Sequence, residues 1–244
     1  MTVSETGQLY LCATPIGNLA DITYRAVDVL RTADVIAAED TRHTRGLLAH
    51  YDIHTPMTSY HEHNKETRGA ELIARMQAGD TVVCVSDAGL PGIADPGGDL
   101  ARRAIAAGIR VTPLPGANAA LSALICAGLP LEGFTFVGFL PRKEKKRREV
   151  LARVAAYPET LIFYEAPHRL RETLAALADG LGEERRACAA RELTKKFEEF
   201  RRTTLGELHA YYNENEPRGE FVLIVAGADE AHVGAVDDTQ EMSL

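Results

Sequence analysis

The first half of the chain alternates short apolar runs with helical patterns, and this alternation restricts the fold more than any other feature. Residues 9–13, 35–38, 81–85 and 109–114 read as strands, and 81–85 is strongly β-branched. Between them the spacing predicts helices over 23–33, with apolar Ala26, Val27, Val29 and Leu30, and over 42–51, 65–78 and 99–107, plus a short segment at 57–60. Strands alternating with helices of this length predict a parallel or mostly parallel sheet, because each parallel crossover needs a helix to return the chain.

A small-residue helix over 117–127 follows, and the glycine-bounded stretch 128–133 breaks the pattern. Beyond it come strands at 134–139 and 161–164, a basic helix at 142–157 and a helix at 168–181. Neighbouring strands at 186–193 and 197–202, a helix at 204–212 capped by Thr203 or Thr204, and a strand at 221–226 complete the reading. Many strands with fewer helices predict a mixed sheet. The expected fold class is therefore α/β in two domains, 1–127 with a mostly parallel sheet and 128–227 with a mixed one. A disordered acidic tail is expected over 228–244.

At 244 residues the chain can bury a substantial core, and its 45% hydrophobic and 25% charged residues are ordinary globular values. No stretch approaches the roughly 20 apolar residues needed to span a bilayer, and residues 1–8 lack an apolar signal core, so a cytoplasmic protein is expected. Cys12, Cys84, Cys126 and Cys188 are widely spaced without a C-x-x-C, which supports neither a disulfide framework nor a zinc site. The net charge of −8 is unevenly spread. Five acidic and no basic residues lie beyond 227, leaving −3 for the body.

Ligands of parallel α/β sheets bind beyond the carboxyl ends of the strands. Three such ends carry the least generic residues: Thr14-Pro15-Ile16-Gly17-Asn18, the loop 86–97, and Pro115-Gly116-Ala117-Asn118-Ala119. The loop 86–97 combines glycines, which admit a ligand close to the backbone, with prolines, which limit mobility. Asp87 and Asp95 add carboxylates that suit an amine or a ribose diol. A rigid structural turn is the plainer alternative. The first loop lacks both G-x-G-x-x-G and G-x-x-x-x-G-K-[ST], which disfavours the usual phosphate sites.

Charged residues gather at other strand ends. The stretch 39–45, with Arg42, reads as a helix start or as a substrate-facing edge. The His61-Glu62-His63-Asn64 stretch is a weak metal signal, and no metal is expected. Glu165, Arg191, Glu192 and Lys195 follow strands and are candidates for a cleft, whereas Arg169 and Lys196 read as solvated strand ends. Arg142, Lys143, Lys145, Lys146, Arg147 and Arg148 are six cations in seven positions. They suit either a solvated helix face or an RNA phosphate contact.

Taken in order, TPIGNLADIT (14–23), AAEDTRHT (37–44), HEHN (61–64), SDAGLPGIADPG (86–97), LIFYEAPHR (161–169) and ARELTKKFE (190–198) resemble the RsmI family. These are 16S ribosomal RNA cytidine 2′-O-methyltransferases within the tetrapyrrole-methylase superfamily, and the resemblance covers roughly 8–227. Two departures are visible. Leu90 stands where threonine is usual, and Ala117-Asn118-Ala119 follows Pro115-Gly116 where Pro, then Ser or Cys, then Ala is usual.

The resemblance implies a two-domain fold holding S-adenosylmethionine between domains, a homodimer, and a decoding-region cytidine as target on the small ribosomal subunit. It places Pro15, Asp87, Ala88, Gly89, Leu90, Ile93, Asn118, Ala119, Tyr164, Glu192 and Leu193 at the cofactor. A ribose hydroxyl is a poor nucleophile, so a base is wanted. Lys195 and Glu165 are the candidates, with Arg191 at a phosphate or developing oxyanion. A tetrapyrrole C-methyltransferase and a non-catalytic ribosome-binding protein are the rival readings.

Overall fold

The computed structural model describes residues 7–228, so the tail expected over 228–244 lies, from 229 onward, outside the described residues. The described chain forms two compact units: 7–122 together with Leu193–Lys196, and 123–192 together with 197–228.

In the first unit, strands β1 (Gln8–Cys12), β2 (Val35–Ala38), β3 (Met57–Ser59), β4 (Val82–Val85) and β5 (Arg110–Leu114) form a wholly parallel sheet ordered β3-β2-β4-β1-β5. β2 and β4 lie inside the sheet, and every residue of Val-Ile-Ala-Ala and Val-Val-Cys-Val is buried, which explains their unbroken apolar runs. Pro113 is tolerated because β5 is an edge strand, where a missing N–H costs no ladder bond.

Helices α1 (Tyr24–Thr32) and α2 (Thr41–His50) cover one face. There Val27, Leu30 and Leu48 pack on Ile36, Val83 and Val85. Helices α3 (Lys65–Gln77) and α4 (Gly97–Ala106) cover the other, where Leu72, Met76 and Leu100 pack on Leu9, Val35 and Val82. α1 starts where Thr23 accepts the Ala26 amide, and α2 where Asp40 accepts the Arg42 amide. Such caps each contribute about 1 kcal/mol.

The second unit holds a mixed sheet ordered β6-β7-β10-β8-β9. It comprises β6 (Phe134–Phe139), β7 (Thr160–Glu165), β8 (Arg186–Arg191), β9 (Glu199–Thr204) and β10 (Phe221–Val225). β6 and β7 run parallel, and the remaining pairs are antiparallel. Helices α6 (Glu144–Val154), α7 (Leu170–Leu181) and α8 (Leu205–Glu214) share a core with Phe163, Leu223 and Ala189 of the sheet. Helix α5 (Ala119–Cys126) spans the division between the units. Thr204, not Thr203, caps α8.

β9 begins two residues later than the sequence predicts. After Arg191 the backbone turns through left-handed conformations at Glu192 (φ 50°) and Thr194 (φ 64°), and Leu193–Lys196 joins the first unit. Extended pairing resumes at Glu199, opposite Arg191.

Candidate active site

The carboxyl ends of β1, β2 and β4 lie side by side, since Cys12, Ala38 and Val85 are register partners. Beyond β1, Thr14 pairs with Gly89 from the loop after β4. Each amide donates to the other's carbonyl at 3.0 Å. Gly89 is buried with φ +77°, a conformation an L side chain resists. Thr14 Oγ1 donates to Ser86 O at 3.3 Å, and Ser86 Oγ to the Ala88 and Gly89 carbonyls at 3.2 and 3.1 Å. Hydroxyls therefore hold the loop's first turn from within. The third loop is equally close: a Cβ added to Gly116 would lie 2.9 Å from Ala13 Cβ.

Asp95 fixes the far end of the loop. Its Oδ1 accepts the Gly92 and Gly97 amides, both at 2.7 Å. Burial raises its pKa against those two bonds, and repulsion from Asp87 adds to the rise. Asp95 is thus an internal brace. Asp87 exchanges bonds with the turn after β2: its Oδ1 accepts the Asp40 amide at 3.0 Å, and Glu39 Oε2 accepts the Asp87 amide at 3.4 Å. The Glu39 carboxyl is raised by burial, with repulsion from Asp87 and Asp95 adding to it. Sequence reasoning missed this exchange. Asp40 directly before Thr41-Arg42 was readable as a helix cap, but a cap does not reveal which strand end lies alongside.

Among the expected cofactor residues, Pro15, Asp87, Ala88, Gly89, Leu90, Ile93, Asn118, Ala119 and Leu193 all belong to the first unit, as does Lys195. Asn118 Oδ1 caps α5 by accepting the Leu121 amide at 3.0 Å, so its NH2 group is what it offers a ligand. Lys195 packs against the first loop. A Cβ added to Gly17 would collide with Lys195 Cγ and lie 2.9 Å from Leu193 O. Between α2, Pro15 and Asp87 opens a cavity of about 240 Å3.

The other expected residues belong to the second unit. Tyr164 makes edge contacts with Phe136 and Phe139, at centroid distances of 5.0 and 5.7 Å. Arg191 donates from Nε to Arg218 O at 2.6 Å and from Nη1 to Glu199 at 3.3 Å. Glu192 folds over Gly219 and accepts the Glu220 amide at 3.0 Å.

Three expectations need correction. Glu165, a candidate base, is 2% exposed, and its carboxylate is taken up by the Thr173 hydroxyl at 2.5 Å, the Ala166 amide at 2.9 Å and Arg169 at 3.5 Å. A carboxylate so enclosed is committed to holding the fold. Arg169 is correspondingly no solvated strand end, for it also donates to Leu140 O at 2.8 Å. Arg147, read with the basic run, turns inward to Glu172 at 2.6 Å, while Arg142, Lys143, Lys145, Lys146 and Arg148 are exposed. Arg42 is exposed as well and forms a bidentate pair with Asp40.

Residues 8–209 match the family model for tetrapyrrole (corrin/porphyrin) methylases. A protein of Bacillus subtilis named ribosomal RNA small subunit methyltransferase I is 51% identical over 230 residues, covering 94% of this chain and 78% of that protein. Those of Synechocystis and Escherichia coli O157:H7, with the same name, are 54% and 52% identical. They cover 91% and 92% of this chain and 80% and 79% of their own lengths. The chain belongs to this methyltransferase family.

The family fold is also visible in solved structures. Uroporphyrin-III C-methyltransferase of Thermus thermophilus, complexed with S-adenosylhomocysteine, superposes with a TM-score of 0.63 at 20% identity, over 92% of this chain and 99% of that one. A cobalt precorrin-4 methyltransferase gives 0.65 at 18%, over 93% and 97%. At those identities the likeness speaks for the fold alone. Among the described residues, no helix is long and apolar enough to cross a membrane.

Proposed function

We propose that the chain transfers a methyl group from S-adenosylmethionine to the ribose 2′-oxygen of a cytidine in the decoding region of 16S ribosomal RNA, acting in the cytoplasm as a homodimer. One observation carries the reading: relatives named for small-subunit ribosomal RNA methylation match at just over 50% identity across more than nine-tenths of the chain.

The strand-end residues fit the donor. Exposed Ala88 and Gly116 leave backbone approachable from outside, and the Asp87 carboxylate beside them suits a sulfonium cation. When bound, S-adenosylmethionine supplies an activated methyl group. The chain aligns the acceptor oxygen with it, and holding two reactants in attack geometry is worth roughly 7–11 kcal/mol. Asp87, the backbone of 88–93, Pro15, Asn118, Ala119 and Leu193 hold the donor, with Tyr164 and Glu192 assigned on the resemblance. Leu90 has no hydroxyl to offer, so the loop acts there through its backbone.

With Glu165 enclosed by its own partners, Lys195 is the group that favours an ionised 2′-oxygen, and Arg191 remains assigned to a phosphate or the developing oxyanion. Exposed Arg42, Arg142, Lys143, Lys145, Lys146 and Arg148 meet RNA phosphates. The test incubates the protein with labelled S-adenosylmethionine and unmodified small subunits or free 16S RNA. The label is then mapped by resistance to alkaline cleavage, which requires a free 2′-hydroxyl. Label at one cytidine ribose is expected. Label on a base, or only on a tetrapyrrole, overturns the reading.

A further inference from the structure

The cavity of about 240 Å3 lies on the β2 side of the β4 loop, whereas Gly89 and Gly116 draw the loops together on the β5 side. Pro15, Leu19 and Leu47 give it apolar wall, His43 stands at its edge, and Asp87 closes it toward the donor loop. Two features of α2 are costly to a helix with nothing bound beside it.

The first is Thr44. It is 2% exposed, lines the cavity, and its Oγ1 has no hydrogen-bond partner among the described residues. Helical threonines commonly bond the carbonyl one turn back, as Thr32 does to Asp28 O at 3.0 Å, so Thr44 forgoes an available bond. A buried hydroxyl left unpaired is destabilising.

The second is Gly46. It sits mid-helix, where glycine is unfavourable, and it too lines the cavity. A Cβ placed there meets nothing within 4 Å. The glycine is therefore not demanded by packing, and it leaves room on the cavity side.

We propose that this cavity is the subsite for the target nucleoside, with the pyrimidine ring extruded from the RNA beside His43 and a ring acceptor hydrogen-bonded to Thr44 Oγ1. The inference rests on the functional reading above and adds where the acceptor is bound. The cavity is smaller than the roughly 300 Å3 at which pockets for drug-sized ligands begin, which suits one flipped nucleoside and not a macrocycle. Histidine is among the side chains on which unstacked bases lie. Arg42 and Arg45 are exposed on the same helix, near enough in sequence to serve the flanking phosphates. The acceptor oxygen must also reach the donor methyl, and Pro15 and Asp87 belong both to the cavity wall and to the residues assigned to the donor.

The test compares wild type with Thr44→Val, Thr44→Ser and Gly46→Leu. S-adenosylmethionine affinity is read by calorimetry, and kcat/KM by methylation of unmodified small subunits. Thr44→Val is expected to keep its affinity for S-adenosylmethionine, to raise Tm by removing the unpaired hydroxyl, and to lose about tenfold in kcat/KM, the size of one hydrogen bond. Thr44→Ser restores the rate. Gly46→Leu fills the cavity and raises KM with donor affinity intact. Weakened donor binding in Thr44→Val or Gly46→Leu overturns the inference, because the cavity would then hold the donor's own adenosine. Variants matching an active wild type overturn it alone. A wild type that methylates no ribose overturns the functional reading, and this inference with it.

Discussion

Gly17 and Lys195 are packed so closely that no side chain fits between them: a Cβ at position 17 would collide with Lys195 Cγ and come within 2.9 Å of Leu193 O and Thr194 Oγ1. The first loop therefore fixes the place of the lysine assigned to the acceptor oxygen. Because Leu193 O is backbone, it cannot simply swing aside. Gly17→Ala is expected to destabilise by about 1–3 kcal/mol, as overpacking does, and to lower the single-turnover methylation rate. In a Lys195→Ala background the same change costs less stability, because Cγ is gone. A double-mutant cycle from urea unfolding measures that coupling. Additive effects would mean that the collision with Lys195 is relieved elsewhere.

Glu39 gives the sheet edge a pH signature. Burial, joined by repulsion from Asp87 and Asp95, raises its pKa from the ordinary glutamate value against the bond from the Asp87 amide. A raised folded pKa means that this group's contribution to stability is fully present below the ordinary value near 4.3 and is lost as pH rises through the folded value. Glu39→Gln keeps an acceptor for the Asp87 amide and removes the charge. It is expected to be more stable than wild type at neutral pH, with the advantage vanishing as pH falls into the carboxylate range. Urea unfolding across the acid-to-neutral range reads the difference, and an advantage that grows toward acid would refute it.

The parallel sheet was legible because its inner strands are buried on both faces and so read as unbroken apolar runs, as β2 and β4 do. The start of α8 was legible to within one residue from its pair of threonines, of which Thr204 is the cap, whereas Thr23 was read as part of the helix it caps. The candidate site was legible only as a set of loops. Which ones touch depends on register: Thr14 meets Gly89 seventy-five positions away because β1 and β4 are neighbours, and spacing along the chain does not show that. Charges were read least well. Glu165 and Arg169 look like strand-end residues until Thr173 supplies a buried donor, and Arg147 looks like its exposed neighbours until Glu172 draws it inward. The bend at Glu192 and Thr194 uses left-handed backbone without glycine, so composition gives no signal for it.

Glu165 tests the separation of structural from reacting carboxylates. Its side chain is fully enclosed, with Arg169 and Thr173 as partners. Glu165→Ala takes the carboxylate from a largely buried guanidinium, leaving it the Leu140 carbonyl, and is expected to cost about 3 kcal/mol. Single-turnover methylation per folded molecule should stay near wild type at a temperature where the variant is folded. A rate collapse with stability preserved would return Glu165 to the chemistry.

The basic helix gives the sharpest contrast between neighbours. Lys145 and Lys146 are exposed, whereas the Arg147 side chain is 10% exposed and bonded to Glu172. Each lysine that meets a phosphate releases counterions, so its replacement by alanine should lower the slope of log K against log salt by about 0.7 on single-stranded RNA and about 0.9 on duplex. The double replacement of Lys145 and Lys146 should thus flatten the salt dependence of small-subunit binding by roughly twice that amount, with Tm unchanged. Arg147→Ala should do the reverse: Tm falls because Glu172 loses its partner and α6 loses packed surface, while the salt slope holds. The chemistry of the two residue types is the same in sequence. Only the direction in which each side chain leaves the helix separates them, and a salt slope that responded to Arg147 and ignored the two lysines would show that the RNA approaches a different face.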